Sequence, residues 1–380
     1  MNILVLNWRD IKHPRAGGAE VRLHRVYEPI VKAGHKVFLI TSRFEGAEET
    51  EILNGIEVHR LGNDVTFAPL CFWHLPGWIK QFSIDVVVED FNKLPLLLPW
   101  RTHRPLLIQM HHLWKGSIFH ETSFITALIV WLSEQTLRFV YKRETFCVVS
   151  DSTKKELHSM GIPLSRISII HNGVDLAFYQ PPQNPGREAS LLWLGRIQKY
   201  KGIMDACLAF QKIAGKFPDL TLKIAGNGPS KNAVQAWVKA EGLMGRIRFL
   251  GFVSEEEKRT LLQHSLFLVQ SSYKEGWGLT VIEANACGTP VIANNAPGLC
   301  DSVRDGVTGL LYPYMSIAGL AENMQQLIED PSLYNQLCGN VRGWAEQFQW
   351  ETAAQETLAL LQDVYQSQKN KGRALRHLPL

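Results

Sequence analysis

The sequence predicts an α/β protein of two domains, each a parallel sheet with helices on its faces. Three observations carry that expectation. Short apolar runs alternate with longer amphipathic stretches from Asn2 to Gln366, as doubly buried strands and crossover helices do. A proline-rich segment, Gln180 to Glu188, interrupts the alternation near mid-chain, and the pattern then restarts. The length of 380 residues also exceeds what one core usually organises.

Composition narrows the class. Hydrophobic residues at 46% and charged residues at 20% describe an ordinary globular chain. A net charge of +4 is too small for this length to indicate nucleic acid, and none is expected as a partner. The six cysteines are scattered without metal-like spacing and read as reduced thiols of a cytoplasmic protein. The opening MNILVLNWRD runs from a strand straight into polar residues rather than resembling a signal peptide. The strongest apolar run, Phe124 to Leu132, is short of the roughly 18 residues of a spanning helix.

In chain order, Asn2 to Leu6 is a strand, Asn7 to Ala19 a loop containing Gly17-Gly18, and Glu20 to Ala33 a helix with Val21, Leu23, Val26, Ile30 and Val31 near helical spacing. This is the start of a Rossmann-like unit. Two adjacent glycines let backbone approach a phosphate or sugar, or simply make a tight turn. Further strands are expected at Lys36 to Thr41, Ile56 to Leu61, Asp85 to Val88, Pro105 to Met110, Thr145 to Ser150 and Ile167 to Ile170. His111 and His112 leave the Pro105 strand at its carboxyl end, where α/β sheets bind ligands. Phe124 to Arg143 reads as a helix with an apolar stripe and a basic end; core packing is the favoured explanation, with a membrane-surface or lipid-acceptor face as the alternative. Basic residues outnumber acids between Asn2 and Arg43, which would suit an anionic acceptor.

The second half repeats the logic. Leu191 to Leu194 is a strand, Gly195-Arg196 opens a loop, and Lys201-Gly202 enters a helix to about Phe217. Two cations flanking a strand-to-helix loop suit a diphosphate. Leu220 to Ala225 leads to Gly226-Asn227-Gly228, and Ile247 to Val253 to a capping-box start at Ser254. The stretch LFLVQSSYKEGWGLTVIEANACGTPVIA, Leu266 to Ala293, reads as strand, loop, helix, turn and strand. The helix start near Gly278 offers unpaired N–H groups and a positive dipole end to an anion, most simply a phosphate. Glu275 in the loop and Glu283 in the helix then form two acidic stations able to accept sugar hydroxyls. Phosphate on the helix start with a sugar at each station describes a nucleotide-sugar. Helices are expected at Ile317 to Glu329, Ser332 to Phe348 and Trp350 to Gln366, and a basic frayed tail from Lys369.

EGWGLTVIEANACGTPVIA resembles the signature of the retaining GT-B glycosyltransferases of glycosyltransferase family 4. The G-R-x4-K-G spacing from Gly195 to Gly202, the early Gly-Gly-x-Glu loop and the His171-Asn172-Gly173-Val174-Asp175 run resemble the same family. The resemblance implies a GT-B fold, two Rossmann-like domains with parallel sheets facing across a cleft. It divides the chain into an acceptor-side domain at 1–178, a nucleotide-sugar donor domain at 190–345, a C-terminal helix at 346–368 crossing back to the first domain, and a disordered basic tail at 369–380. It implies donor-sugar contacts for Glu275 and backbone N–H groups from Gly276, Trp277, Gly278, Leu279 and Thr280. It also implies ribose at Glu283, a phosphate clamp of Arg196 and Lys201, and base neighbours Phe252 and Val253. Gly17 and Gly18 would lie beneath the diphosphate. A histidine leaving the strand would meet the sugar; strand alignment favours His111, while the His-Asp pair common in relatives leaves His112 open.

The activity implied is hexosyl transfer with retention, from a nucleotide diphosphate sugar, most simply UDP- or GDP-linked, to a glycan, lipid-linked or small-molecule acceptor. The nucleotide-sugar is a co-substrate, no metal is required, and peripheral contact with a membrane through the N-terminal domain is a further expectation. A GT-B nucleotide-sugar epimerase and a non-catalytic nucleotide-sugar-binding protein are the alternatives. A nicotinamide dehydrogenase would need a complete dinucleotide fingerprint, which Ala16-Gly17-Gly18 does not supply.

Overall fold

Two parallel sheets organise the chain, each the centre of its own unit. The computed structural model describes residues 1–376 except 93, 184 and 185, without the side chains of 117, 120 and 371–376. One unit comprises Met1–Gly173 together with the chain from Trp350 onward; the other is Val174–Gln349.

The first unit holds β1 (Asn2–Leu6), β2 (Lys36–Ser42), β3 (Thr50–Leu53), β4 (Ile56–Leu61), β5 (Val86–Phe91), β6 (Leu106–Met110), β7 (Thr145–Val148) and β8 (Ile167–Ile169). They lie in the order β3-β4-β2-β1-β5-β6-β7-β8. β1 and β5 are buried almost throughout, as central parallel strands require. All neighbours are parallel except β3 and β4, which form a hairpin. Its turn is Asn54-Gly55, both at positive φ, 52° and 79°. This is the sequence signal of a two-residue hairpin turn, and the sequence reading passed over it.

The second unit holds β9 (Ser190–Leu194), β10 (Thr221–Ala225), β11 (Ile247–Gly251), β12 (Phe267–Gln270), β13 (Val291–Asn294) and β14 (Gly309–Tyr312). Their order is β11-β10-β9-β12-β13-β14, all parallel. The helices Ile203–Ala214 and Ile317–Glu329 close one core with Trp193, Phe267 and Tyr312.

Three expectations need correction. The proline-rich segment, whose composition reads as that of a linker between domains, does not connect the units, since the boundary between them falls at Gly173 and Val174. It is tied inside the second unit by Arg187, whose guanidinium donates to Ser265 O at 2.6 Å, Thr289 Oγ1 at 2.9 Å and Gly288 O at 2.6 Å. Residues 184 and 185 of that segment lie outside the described residues. The basic tail expected from Lys369 is helical as far as Arg376, because the last helix, Trp350–Arg376, runs on through long-chain residues that suit a helix C-terminus; residues 377–380 lie outside the described residues. The helix expected over Phe124 to Arg143 spans Phe124–Gln135 and then tightens into a short turn at Thr136–Arg138. Core packing does not explain its apolar side chains, since Ala127 and Glu134 are its only buried residues.

Glu89, near the end of β5, is buried completely. It accepts the Leu96 N–H at 2.7 Å and the Tyr141 hydroxyl at 2.8 Å. Burial pushes its carboxyl up to about 7, against the pull of these donors. The folded chain therefore holds this proton more tightly than the unfolded chain does. Its contribution to stability is present below the ordinary value of 4.5 and is lost as pH rises toward about 7. Wild-type urea midpoints should fall between about pH 5 and about pH 8 by a component absent from Glu89→Gln, worth at most roughly 3 kcal/mol.

Candidate functional site

In the second unit the loops following β9 and β12 interlock at the carboxyl edge of the sheet. Gly202, at φ 63°, caps the helix Ile203–Ala214, and a Cβ there would collide with the Ser271 carbonyl. Gly298, at φ 84°, lets its backbone press on the Glu275 carbonyl in the same way. The Ser271 hydroxyl accepts from Trp193 Nε1 and donates to Lys201 O, both at 3.0 Å, while Tyr273 N–H reaches Tyr200 O at 2.7 Å. Glu275 N–H is fixed on Pro297 O at 3.0 Å.

That packing brings together two residues 74 apart in sequence: Lys201 Nζ lies 2.5 Å from Glu275 Oε1, each side chain less than one-fifth exposed. Burial works against the Lys201 charge, yet Glu275 and the neighbouring Tyr200 hold its pKa above the ordinary lysine value. Arg196 is exposed, and its guanidinium makes no hydrogen bond or ion pair among the described residues.

Gly278, at φ 85°, caps the helix Leu279–Ala286. Thr280 Oγ1 accepts from Gln270 Nε2 on β12, which ties the helix start to the strand. Trp277 is turned into the core, 2% exposed, with its ring edge-on to Phe348 at 5.0 Å. Glu283, in the second turn, is held at 3.1 Å by Lys258 Nζ, which also reaches Glu255 at 2.9 Å. Tyr179 donates its hydroxyl to Glu255 at 2.6 Å and lies under the Lys258 ammonium. The second carboxylate oxygen of Glu283, Oε2, is buried with no donor in good hydrogen-bond geometry, although the Tyr179 hydroxyl is near enough to help hold the Glu283 pKa down. Burial raises the Glu283 pKa, and Lys258 opposes the rise.

Sequence reasoning missed Lys258. It sits in a run of charged residues on the helix Glu255–His264, 25 positions from Glu283, and only the fold pairs them. Phe252 and Val253 enter that helix; the expected strand stops at Gly251, where φ turns to 76°, and leaves Phe252 83% exposed.

In the first unit Gly17 and Gly18 open the helix Gly18–Lys32, and Gly17 N–H donates to Glu20 Oε2 at 2.7 Å. The loop before them is anchored by the buried pair Asp10–Arg60, at 2.7 Å. His111 is buried, its Nε2 3.0 Å from Asp90 Oδ1 at the end of β5. His112 is half-buried, its ring edge-on to Trp114. Asp90 was also missed, although a carboxylate closing the apolar run of β5 is a signal visible in sequence. Among the described residues no group of three or more His, Cys, Asp or Glu is arranged to hold a metal ion.

Comparison with known proteins places both halves of the chain. Residues 16–178 match Glycosyltransferase Family 4, and residues 178–344 match Glycosyl transferases group 1. The glycogen synthase of Mycobacterium tuberculosis is 25% identical over 94% of this chain and 93% of its own length. A sucrose-phosphate synthase from Thermosynechococcus elongatus superposes with a TM-score of 0.83 at 21% identity, over 96% of this chain and 99% of that one. HepE of Anabaena, solved in complex with UDP and glucose, gives a TM-score of 0.77 at 20% identity, over 96% and 100%. The chain belongs to the GT-B glycosyltransferases of family 4 type.

Removing the cation beside Glu283 strands a largely buried carboxylate. Lys258→Met should cost roughly 1–3 kcal/mol, below the full penalty of a completely buried pair. Adding Glu283→Gln should recover most of that loss, as urea unfolding of the single and double variants will show.

Proposed function

We propose that the chain transfers a hexose from a nucleotide diphosphate sugar to a glycan, lipid-linked or small-molecule acceptor, with retention at the anomeric carbon and without a metal. The observation that carries this reading is Glu283 Oε2, buried without a well-aligned donor on the helix whose capping loop presents the Lys201–Glu275 pair. An acceptor atom taken from water without a well-aligned internal donor gains most from a ligand donor, and ribose hydroxyls supply one.

In this reading Glu283 holds the ribose, with Phe252 and Val253 beside the base. Backbone N–H groups from Gly276 to Thr280, together with Arg196 and Lys201, receive the diphosphate. Glu275 accepts from the sugar hydroxyls. His111, its ring oriented by Asp90, keeps the catalytic role that the family resemblance implies. The carboxylates present offer no nucleophile and acid pair, so retention follows a front-face route. The departing diphosphate takes the acceptor's proton while Arg196 and Lys201 stabilise its charge. That HepE was solved with UDP and with UDP-glucose supports a uridine donor here. The enzyme works in the cytoplasm, in peripheral contact with a membrane.

Chelation by EDTA should leave turnover intact, since Arg196 and Lys201 can neutralise the diphosphate in place of a metal. Loss of activity restored by magnesium or manganese would overturn this part. The two acids separate by ligand. Glu283→Ala should weaken nucleoside diphosphate and nucleotide-sugar alike, by about 1.5–3 kcal/mol, or roughly ten- to a hundredfold. Glu275→Ala should leave the diphosphate nearly untouched and reduce donor affinity, turnover or both. Calorimetry with both ligands decides; equal losses on both for Glu275→Ala would remove it from the sugar.

A further inference from the structure

The helix Phe124–Gln135 carries no charged residue from Phe124 to Ser133. A helix so apolar is normally buried on every side. Here the relative exposures are 69% for Phe124, 72% for Ile125, 52% for Ile129 and 51% for Leu132. The inner side is firmly held: Glu134 is buried and accepts the Trp114 and Lys115 N–H groups at 2.6 and 2.8 Å. The outward apolar face is therefore a fixed feature of the unit. An exposed patch of this kind marks a binding surface.

We infer that this face docks on an anionic lipid bilayer, lying in the plane of the interface. At 12 residues the helix is about 18 Å long, well short of the ~30 Å hydrocarbon core, so it cannot span one. Its rim carries the charge that lipid phosphates require. Arg138, Lys142 and Arg143 follow it and are exposed, together with Phe139. A second cluster shares its side of the first sheet: Leu97 N–H donates to Tyr141 just beyond the helix, and near it Arg101 stacks on Trp73 with Trp100 alongside, both tryptophans about two-thirds exposed. Tryptophan and arginine around an apolar patch suit the headgroup boundary. A second copy is the weaker occupant, because a two-fold contact through this face would gather the Arg138, Lys142 and Arg143 charges of both copies into one interface.

This names the surface for the peripheral contact in the functional reading, and its test is independent of the donor site. The full chain is sedimented with vesicles of phosphatidylcholine alone and of phosphatidylcholine mixed with phosphatidylglycerol. Binding should favour the anionic vesicles and weaken with salt. Ile125→Glu with Ile129→Glu should lower partitioning about tenfold or more. Arg138→Glu with Lys142→Glu should remove the preference for anionic lipid. Thermal stabilisation by UDP or GDP, unchanged in all variants, shows that the fold and donor site are intact. Failure of the wild type to bind either vesicle, undiminished binding by the isoleucine variant, or a concentration-dependent dimer that this variant dissolves would each overturn the inference.

Discussion

Opposite charges drawn out of water at one sheet edge are the constraint on which the second unit depends. Lys201 and Glu275 come from different loops, and each would be costly to bury alone. The loops meet because glycine backbones at Gly202 and Gly298 admit neighbouring carbonyls, and because Ser271 and Tyr273 bond across the gap. Lys258 and Glu283 repeat the arrangement one helix away. Each carboxylate is thus held by a cation close to its limit of accessibility, which fixes geometry before any ligand arrives and limits the reorganisation that binding must drive.

Much of this was legible in the sequence, for an identifiable reason. Where a motif is local, as from Glu275 to Glu283 or Arg196 to Lys201, backbone spacing alone sets strand, loop and helix. Apolar runs also located most strands, because parallel strands are buried on both faces and tolerate few interruptions. What escaped was spatial. Lys258 and Asp90 become partners of Glu283 and His111 only through folding. The proline-rich segment misled because proline signals an interruption of regular structure, whereas Arg187 within it makes three bonds that sequence does not display. The helix at Phe124 misled in the opposite sense: periodicity shows which residues are apolar, and only the surrounding elements decide which of them are covered.

The two histidines illustrate the same division. Adjacent residues leaving a strand point to opposite sides, so one is drawn toward the neighbouring strand and the other is not. His111 finds Asp90 on β5, and the carboxylate fixes its ring and favours a proton on Nε2, while His112 rests against Trp114.

The first unit is interrupted in sequence, and this sets an order of events during synthesis. Val174–Gln349 is continuous and can close its own sheet as soon as it has emerged. The helix Gly18–Lys32 packs along Trp350–Arg376, which is made only after the whole second unit. Until then the side of the first sheet that this helix covers stays open, and the unit begun first is finished after the one begun second. A nascent chain of this protein therefore exposes apolar surface of the first unit for as long as the second takes to be made, the period in which a chaperone has most to protect.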